Sequence, residues 1–171
     1  MNVLTVMRHA KSSWGDADLD DFDRPLNDRR RKAARRVGRE LKRRRVRFDR
    51  VIASPALRVR ETLDQLADGY GDSFDVRFDP QVYAASVQTL FDLVRRIPAT
   101  VHAPLLVGHN PGLQQLMLKL TRDDGQGLRA RVADKFPTAA VALIELPAVS
   151  WGDVEPDSGV IRELILPRDL D

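Results

Sequence analysis

An alternation of β-strand and α-helix patterns predicts an α/β fold, a three-layer sandwich with a mostly parallel central sheet and helices on both faces. The chain has 171 residues, a length that suits a single hydrophobic core. Hydrophobic residues make up 43% of the sequence and charged residues 31%, values typical of a globular protein. We therefore expect one domain over residues 1–171.

The first half of the chain supplies two strands and two helices. Residues 2–7 form a short apolar run that predicts a buried strand. Asn27 is a suitable N-cap for a long helix to about residue 46. A second strand is predicted over residues 50–53, followed by a helix over residues 56–70. The apolar stripe of the first helix is expected in the core and comprises Ala34, Val37, Gly38 and Leu41.

The second half continues the alternation and then ends in strands. Residues 74–78 predict a third strand, residues 87–97 a third helix, and residues 101–107 a fourth strand. A fourth helix is expected from residue 113 to residue 120. Two further runs, residues 139–146 and 159–166, predict a terminal pair of strands.

Composition excludes several classes of protein. Cysteine is absent, so disulfide frameworks, zinc–thiolate sites and cysteine-dependent phosphatases or proteases are ruled out. No run of about 18 apolar residues is present, and the N-terminal sequence lacks a signal-peptide pattern. We expect a cytoplasmic protein that does not act at a membrane.

Positive charge is concentrated on the first predicted helix. Residues 1–50 hold 16 Lys or Arg against 8 Asp or Glu, whereas the remaining residues hold 12 against 17. Twelve basic residues lie between Arg29 and Arg47, with Glu40 as the only acid among them. Such a face could be merely solvated, could bind nucleic-acid phosphates, or could steer an acidic phosphoprotein to the active site. Without interleaved aromatic residues or a known nucleic-acid motif, nucleic-acid binding is the least favoured of the three.

Chemistry-bearing residues follow three of the predicted parallel strands. Arg8 and His9 end the first strand, Arg58 lies just beyond the second, and His109 follows the fourth. In open α/β sheets the ligand site lies beyond the carboxyl ends of the strands, so these side chains should converge. Guanidinium groups bind phosphate oxygens in a bidentate manner, and a neutral imidazole can attack phosphorus to give a phosphohistidine. The pattern predicts a phosphoryl-transfer site that needs no metal and no cofactor.

The motifs around these residues resemble those of the histidine phosphatase superfamily, whose fold is phosphoglycerate mutase-like. Arg8-His9-Ala10 is similar to its Arg-His-Gly motif, and Gly108-His109-Asn110 to the segment with its second histidine. Residues 54–62 match a Ser-x-x-x-Arg-x-x-x-Thr pattern that selects Arg58 over Arg60. The resemblance implies that His9 is the nucleophile and that Arg8, Arg58 and His109 complete the phosphate pocket, with Ser12 as a further candidate for phosphate binding.

A closer resemblance is to the small bacterial phosphohistidine phosphatases of the SixA group. It rests on the string from Arg8 to Trp14 and on Arg24-Pro25-Leu26-Asn27. The catalytic Glu that mutases and broad phosphomonoesterases carry after the third strand is replaced here by the alanines of residues 82–86. Acidic residues of the preceding loop (Asp16, Asp18 or Asp23) could substitute for that Glu by folding over the site. Lys11 is a second departure from the mutase pattern.

The missing acid favours one class of substrate. An alkoxide leaving group needs protonation, which contributes roughly 10²–10⁴ in rate. The imidazole of phosphohistidine is far less basic, with a pKa of about 6.5, and can leave with little help. We therefore expect a metal-independent phosphatase acting on phosphohistidine of a protein, such as a phosphorelay or phosphotransfer component. The alternatives are a phosphomonoesterase for a small metabolite and, in a different class, a basic interaction domain without catalysis.

Overall fold

A computed structural model describes residues 2–11 and 19–170, which fold around one six-stranded sheet. Its order is β3-β2-β4-β1-β5-β6. The first four strands in this order pair in parallel, whereas β5 is antiparallel to both β1 and β6. The strands are β1 (Asn2–Arg8), β2 (Arg50–Ala53), β3 (Val76–Phe78), β4 (Pro104–Gly108), β5 (Val141–Leu146) and β6 (Val160–Ile165).

Helices cover both faces of the sheet, which confirms the predicted three-layer α/β sandwich. Apolar residues of α1 and α2 form one buried cluster with the sheet, and those of α3, α4 and α5 form the other. The helices are α1 (Asp28–Arg43), α2 (Leu57–Tyr70), α3 (Val87–Arg95), α4 (Gly112–Leu120) and α5 (Leu128–Asp134). Short 3₁₀ turns lie at Asp21–Asp23, Pro80–Val82, Trp151–Asp153 and Pro167–Asp169.

Strands β1 and β4 are apolar on both faces because both faces are covered. Leu4 and Val6 pack on the side of α3 and α4, whereas Met7 packs on the side of α1 and α2. Leu105 and Leu106 of β4 divide between the two clusters in the same way. A parallel strand that is covered on both faces has a continuous hydrophobic sequence, and β1 and β4 show this pattern.

The ends of α1 depend on local chemistry. The Asn27 side chain accepts a hydrogen bond from the Arg30 N–H at 3.0 Å, so the predicted N-cap is confirmed. The helix ends at Arg43, earlier than the predicted residue 46, because Arg45 adopts a positive φ of 60°. The Val46 N–H then bonds to the Leu41 carbonyl and closes the turn.

The parallel register brings three strand ends to one edge of the sheet. Arg8 of β1 lies beside Gly108 of β4, and Ala53 of β2 lies beside Val107. The residues that follow these strands, His9, Ser54 and His109, therefore lie close together at this edge of the sheet.

Candidate active site

A cavity of about 880 Å³ opens at this edge of the sheet. Four of the residues predicted for the site line it together: Arg8, His9, Arg58 and His109. Lys11, Arg24 and Lys135 add further positive charge to its wall. Ser12, the fifth predicted residue, lies outside the described residues. An excess of cations in a concave site suits a phosphoryl group.

His9 is held in one tautomer by its neighbours. Its Nδ1 lies 2.5 Å from the Ala10 carbonyl oxygen, to which it can only donate, so Nδ1 carries the proton. Its Nε2 accepts from the Nε of Arg58 at 3.4 Å and therefore holds a free electron pair. His9 is buried, with 7% of its surface exposed. The imidazole is thus neutral, with the unprotonated Nε2 beside the Arg58 guanidinium.

His109 lies across the cavity from His9, with ring centroids 5.1 Å apart. Its Nδ1 faces the Nη2 of Arg58 at 3.2 Å and must accept, because a guanidinium only donates. The proton is therefore on Nε2, which donates to the Ser54 hydroxyl at 2.7 Å. Ser54 is fully buried and also accepts from the Ala56 N–H. The first residue of the Ser-x-x-x-Arg-x-x-x-Thr pattern thus orients the second histidine.

Both histidines are disposed to stay neutral. Burial, followed by the charges of Arg58 and Arg8, lowers the pKa of His109 to about 4. Burial is also the largest cause that lowers the pKa of His9 to about 3, assisted by His109 and Arg58 and opposed by the Ala10 hydrogen bond. In the absence of a bound anion, neither imidazole carries a charge at neutral pH.

Arg58 is the most connected cation of the site. It leaves the first turn of α2 with its side chain 7% exposed and donates to both histidines. The last residue of the pattern, Thr62, supports this turn. Its hydroxyl donates to the Arg58 carbonyl at 2.6 Å and accepts from the Ala10 N–H at 3.0 Å. Thr62 therefore ties the loop after β1 to the helix that carries Arg58.

Arg8 completes the cationic wall. Its Nη1 donates to the Phe136 carbonyl at 3.2 Å, and burial followed by the charge of Arg58 lowers its pKa. Its Nε is buried without a hydrogen-bond partner. An incompletely satisfied guanidinium in a cavity is able to bind an anion.

Asp21 and Tyr83 are site residues that the sequence reasoning missed. Asp21 accepts from Tyr83 Oη at 2.7 Å and from the Arg58 Nη2 at 3.1 Å, and it also pairs with Arg24. The Tyr83 hydrogen bond is the largest cause that lowers the pKa of Asp21 to about 2. A carboxylate at the cavity wall was anticipated from the same loop, but at Asp16, Asp18 or Asp23. Asp23 does not line the cavity, and the other two lie outside the described residues.

Arg60 and His102, which the sequence analysis also considered, do not line the cavity. Arg60 stacks over the Phe78 ring, with 5.7 Å from its guanidinium carbon to the ring centroid. His102 is exposed, and its backbone N–H bonds to Asp49.

Within residues 2–11 and 19–170, no group of three or more His, Asp or Glu side chains is arranged to hold a metal ion. No helix of the same residues is long and apolar enough to cross a membrane.

Comparison with known proteins places this site in a family. A sequence model of the histidine phosphatase superfamily (branch 1) matches residues 4–83. An uncharacterised protein of Mycobacterium tuberculosis (strain H37Rv) is 32% identical over 164 residues, spanning 95% of this chain and all of the relative. A structure from Nakamurella multipartitia that bears the SixA name superposes with a TM-score of 0.84 at 26% identity, over 97% of this chain and 96% of that one.

Two further structures share the fold at lower sequence identity. The protein histidine phosphatase SixA complexed with tungstate matches with a TM-score of 0.79 at 21% identity, over 98% of both chains. The alpha-ribazole phosphatase from Shigella flexneri matches with a TM-score of 0.69 at 15% identity, over 96% of both chains. At these identities the likeness shows a shared fold.

The fold and the converging histidines and arginines, together with these matches, define a phosphatase. The chain belongs to the histidine phosphatase superfamily.

Proposed function

We propose that this phosphatase hydrolyses phosphohistidine on a protein through a phosphoenzyme formed on His9. The observation that carries the proposal is the state of the cavity's titratable groups. His9 is neutral and offers an unprotonated Nε2, and the cavity contains no carboxylic acid that is protonated at neutral pH among the described residues.

The first step is the transfer of the phosphoryl group to His9. The electron pair on Nε2 forms the new N–P bond, while the bond from phosphorus to the substrate imidazole breaks and its electron pair stays on the substrate nitrogen. The other ring nitrogen of the substrate imidazole carries a proton, so the leaving group departs as neutral imidazole. Arg8 and Arg58 stabilise the charge on the phosphoryl oxygens. His109, whose Nδ1 also faces Arg58, can take up a proton when the anion binds, because an adjacent negative charge raises an imidazole pKa.

The second step is hydrolysis of the phosphoenzyme. Water attacks phosphorus, the N–P bond breaks, and its electron pair returns to Nε2. Inorganic phosphate leaves, the proton lost by the attacking water passes to phosphate or solvent, and His9 is again neutral. The Ala10 carbonyl accepts a hydrogen bond from the protonated Nδ1 in the resting site, and the same bond stabilises the phosphorylated imidazolium, whose Nδ1 remains protonated.

Asp21 accounts for the preference for a phosphoramidate substrate. It is the only carboxylate among the described residues that line the cavity, and its hydrogen bonds from Tyr83, Arg24 and Arg58 keep it ionised. An ionised carboxylate cannot protonate a departing alkoxide. A neutral imidazole leaves without such an acid, so phosphohistidine suits the site better than an alkyl ester.

A small-metabolite phosphomonoesterase is the second candidate. The structural likeness to alpha-ribazole phosphatase and the volume of the cavity favour it. It would require Asp21 or a residue of the segment 12–18 to supply the proton for an alkoxide.

The test compares three substrates with EDTA present: a phosphohistidine-bearing protein, an aryl phosphate and an alkyl phosphate. His9→Ala is the test variant and His102→Ala is the matched control, because His102 is an exposed histidine outside the cavity. We expect turnover of phosphohistidine that disappears with His9→Ala, persists with His102→Ala, and greatly exceeds cleavage of the alkyl ester. Efficient alkyl ester cleavage dependent on His9 would favour the metabolite phosphatase, and no turnover that depends on His9 would overturn both enzymatic assignments.

A further inference from the structure

A second cavity, of about 290 Å³, lies between the N-terminal half of α1 and the segments around residues 135–138 and 166–168. No acidic residue of the described chain lines it. Five of its lining side chains are cationic: Arg29, Arg30, Arg36, Lys135 and Arg168. Five positive charges around so small a space produce a strongly favourable potential for anions. We call this cavity the basic pocket.

The three pocket cations that lie on α1 differ in their partners from the ion-paired basic residues of that helix, whereas Arg168 of the pocket pairs with Asp169 at 3.9 Å. On the rest of the helix, Arg31 pairs with Glu61, Arg35 with Asp68, and both Arg43 and Arg44 with Glu40. By contrast, no carboxylate of the described chain lies within 4 Å of the charged groups of three helix residues that line the pocket: Arg29, Arg30 and Arg36.

Two of these guanidinium groups are also incompletely hydrogen-bonded. The Nε atoms of Arg30 and Arg36 are shielded from solvent and have no hydrogen-bond partner. A shielded polar group without a partner is costly, and a guanidinium beside other cations costs more. A bound anion would offset the mutual repulsion of these charges. Arg29, Arg30 and Arg36 therefore bring positive charge without a carboxylate partner among the described residues to one cavity, whereas Arg31, Arg35, Arg43 and Arg44 are paired with carboxylates. Lys32, Arg39 and Lys42 also have no carboxylate within 4 Å among the described residues, but they do not line this cavity.

The basic pocket shares a wall with the catalytic cavity. Lys135, Pro137 and Thr138 line both. The same wall is fixed to the catalytic residues, because the Phe136 carbonyl accepts from Arg8 at 3.2 Å and from Asn110 at 2.9 Å. An anion in the basic pocket would consequently lie next to a phosphoryl group in the catalytic cavity.

We propose that the basic pocket binds acidic side chains, Asp or Glu, that lie near the phosphohistidine of the protein substrate. This proposal rests on the proposed function and names the feature by which a substrate is selected. The uncharged lining consists of Ala33, Pro137, Thr138, Leu166 and Pro167, which can contact a peptide backbone. No aromatic ring of the described residues lines the pocket, so it lacks the stacking surface with which proteins bind single-stranded nucleic acid.

The test uses two phosphohistidine peptides that differ only in the residues flanking the phosphohistidine, glutamate in one and glutamine in the other. The double variant Arg30→Gln/Arg36→Gln removes two charges of the basic pocket and none of the catalytic cavity. Arg43→Gln is the matched control, because Arg43 lies on the same helix and is paired with Glu40. Circular dichroism melting of all variants reports on folding.

We expect the double variant to raise KM for the glutamate peptide by roughly 5- to 20-fold, with kcat within twofold. Its KM for the glutamine peptide should stay within twofold, and Arg43→Gln should behave as wild type on both peptides. Increasing NaCl from 0.05 to 0.3 M should raise KM for the glutamate peptide alone. Equal KM values of the wild-type enzyme for the two peptides, or an equal loss on both in the double variant, would overturn the proposal.

A binding measurement separates failure of this proposal from failure of the proposed function. Fluorescence anisotropy with the unphosphorylated glutamate peptide reports on the basic pocket even where no phosphohistidine is hydrolysed. Binding by wild type that is lost in the double variant supports the pocket, whatever the enzyme hydrolyses. Stronger binding of a single-stranded oligonucleotide, lost in the same variant, would overturn the assignment to acidic peptides in favour of nucleic acid.

Discussion

Arg58 donates from its Nε to the Nε2 of His9 across 3.4 Å, so the guanidinium that we propose to bind phosphate also contacts the proposed nucleophilic nitrogen. A guanidinium has no acceptor atom, and the Nε2 beside it must therefore carry an electron pair. The Ala10 carbonyl oxygen lies 2.5 Å from Nδ1 and can only accept a hydrogen bond, so Nδ1 carries the proton. Two neighbours thus fix the tautomer of His9 before any substrate arrives.

Loss of the Arg58 guanidinium should therefore impair both phosphate binding and the orientation of the histidines. We expect Arg58→Lys to lower kcat/KM by about 10²-fold or more, because a point charge cannot replace a planar group that contacts both rings. Arg60→Lys is the matched control, since Arg60 lies two residues along α2 and outside the cavity. Steady-state kinetics on one phosphohistidine substrate measures both. Equal effects of the two substitutions would contradict the assignment of Arg58.

If phosphate binds Arg58 as we propose, Asp21 competes with it, so removal of Asp21 should strengthen anion binding. The carboxylate accepts from Arg58 at 3.1 Å and is ionised at neutral pH. We expect Asp21→Asn to lower the inhibition constant of inorganic phosphate by roughly 3- to 10-fold, because a like charge leaves the pocket.

Tyr83→Phe provides the control for Asp21. It removes the 2.7 Å hydrogen bond to the carboxylate and leaves the negative charge in place. Phosphate inhibition of this variant should stay within about threefold of wild type, the lower limit expected for Asp21→Asn. Weaker phosphate binding in Asp21→Asn would instead mean that the carboxylate holds Arg58 in position for the ligand.

The lowered pKa values of the two histidines predict a loss of stability in mild acid. An unfolded histidine takes up a proton near pH 6.5, whereas in the folded protein His9 and His109 have pKa values of about 3 and about 4. Between these limits the unfolded chain binds more protons, so the free energy of unfolding falls as the pH decreases. From pH 7 to pH 5 the expected loss is about 2 kcal/mol for each histidine.

Urea unfolding at pH 7, 6 and 5 measures this dependence. The double variant His9→Ala/His109→Ala should lose most of the slope, whereas His102→Ala should retain it because His102 is exposed. Asp21 and Glu40 act in a lower range, since hydrogen bonds from Tyr83 and Arg43 respectively lower each pKa to about 2. A wild-type free energy of unfolding that is constant from pH 7 to pH 5 would mean that the histidines take up protons in the folded protein as readily as in the unfolded chain.

Much of the catalytic cavity could be predicted because its residues are fixed by local pattern and sheet topology. His9 and His109 each follow an apolar strand, and parallel strands place such residues at one edge. Their functional roles remain a proposal, whereas their convergence is observed. Helix α5 was missed because its seven residues carry one buried apolar side chain, Val132, too few to give a helical periodicity.

The contribution of Asp21 could not be predicted for a different reason. Its position depends on the 3₁₀ turn Asp21–Asp23 and on the link between the Leu26 N–H and Glu61 of α2, at 2.8 Å. The loop carries five aspartates between residues 16 and 23, and their spacing does not distinguish which one meets Tyr83. The basic pocket could not be predicted from the sequence for the same reason. Twelve basic residues were evident between Arg29 and Arg47, but which of them lack acidic partners depends on the contacts of α2 and the C-terminal segment.

Gly69 provides a last prediction, which concerns the packing that positions Arg58. A Cβ at Gly69 would lie 2.0 Å from the backbone oxygen of Arg35, and one at Gly38 would lie 2.3 Å from that of Leu66. Helices α1 and α2 therefore contact each other backbone to backbone at two points. Gly69→Ala gains about 1 kcal/mol in helix propensity, but it must push the helices apart.

We expect Gly69→Ala to lower the free energy of unfolding by a net 1–3 kcal/mol and Tm by roughly 3–10 °C. Because α2 carries Arg58, kcat/KM at a temperature well below Tm should fall as well. Gly152→Ala is the matched control, since its Cβ would meet no atom closer than 3.8 Å, and its stability should stay within about 0.5 kcal/mol of wild type. Thermal unfolding and steady-state kinetics of the two variants check both effects. Equal stability of Gly69→Ala and wild type would show that the helices can separate at no cost, and would remove this packing as the constraint on Arg58.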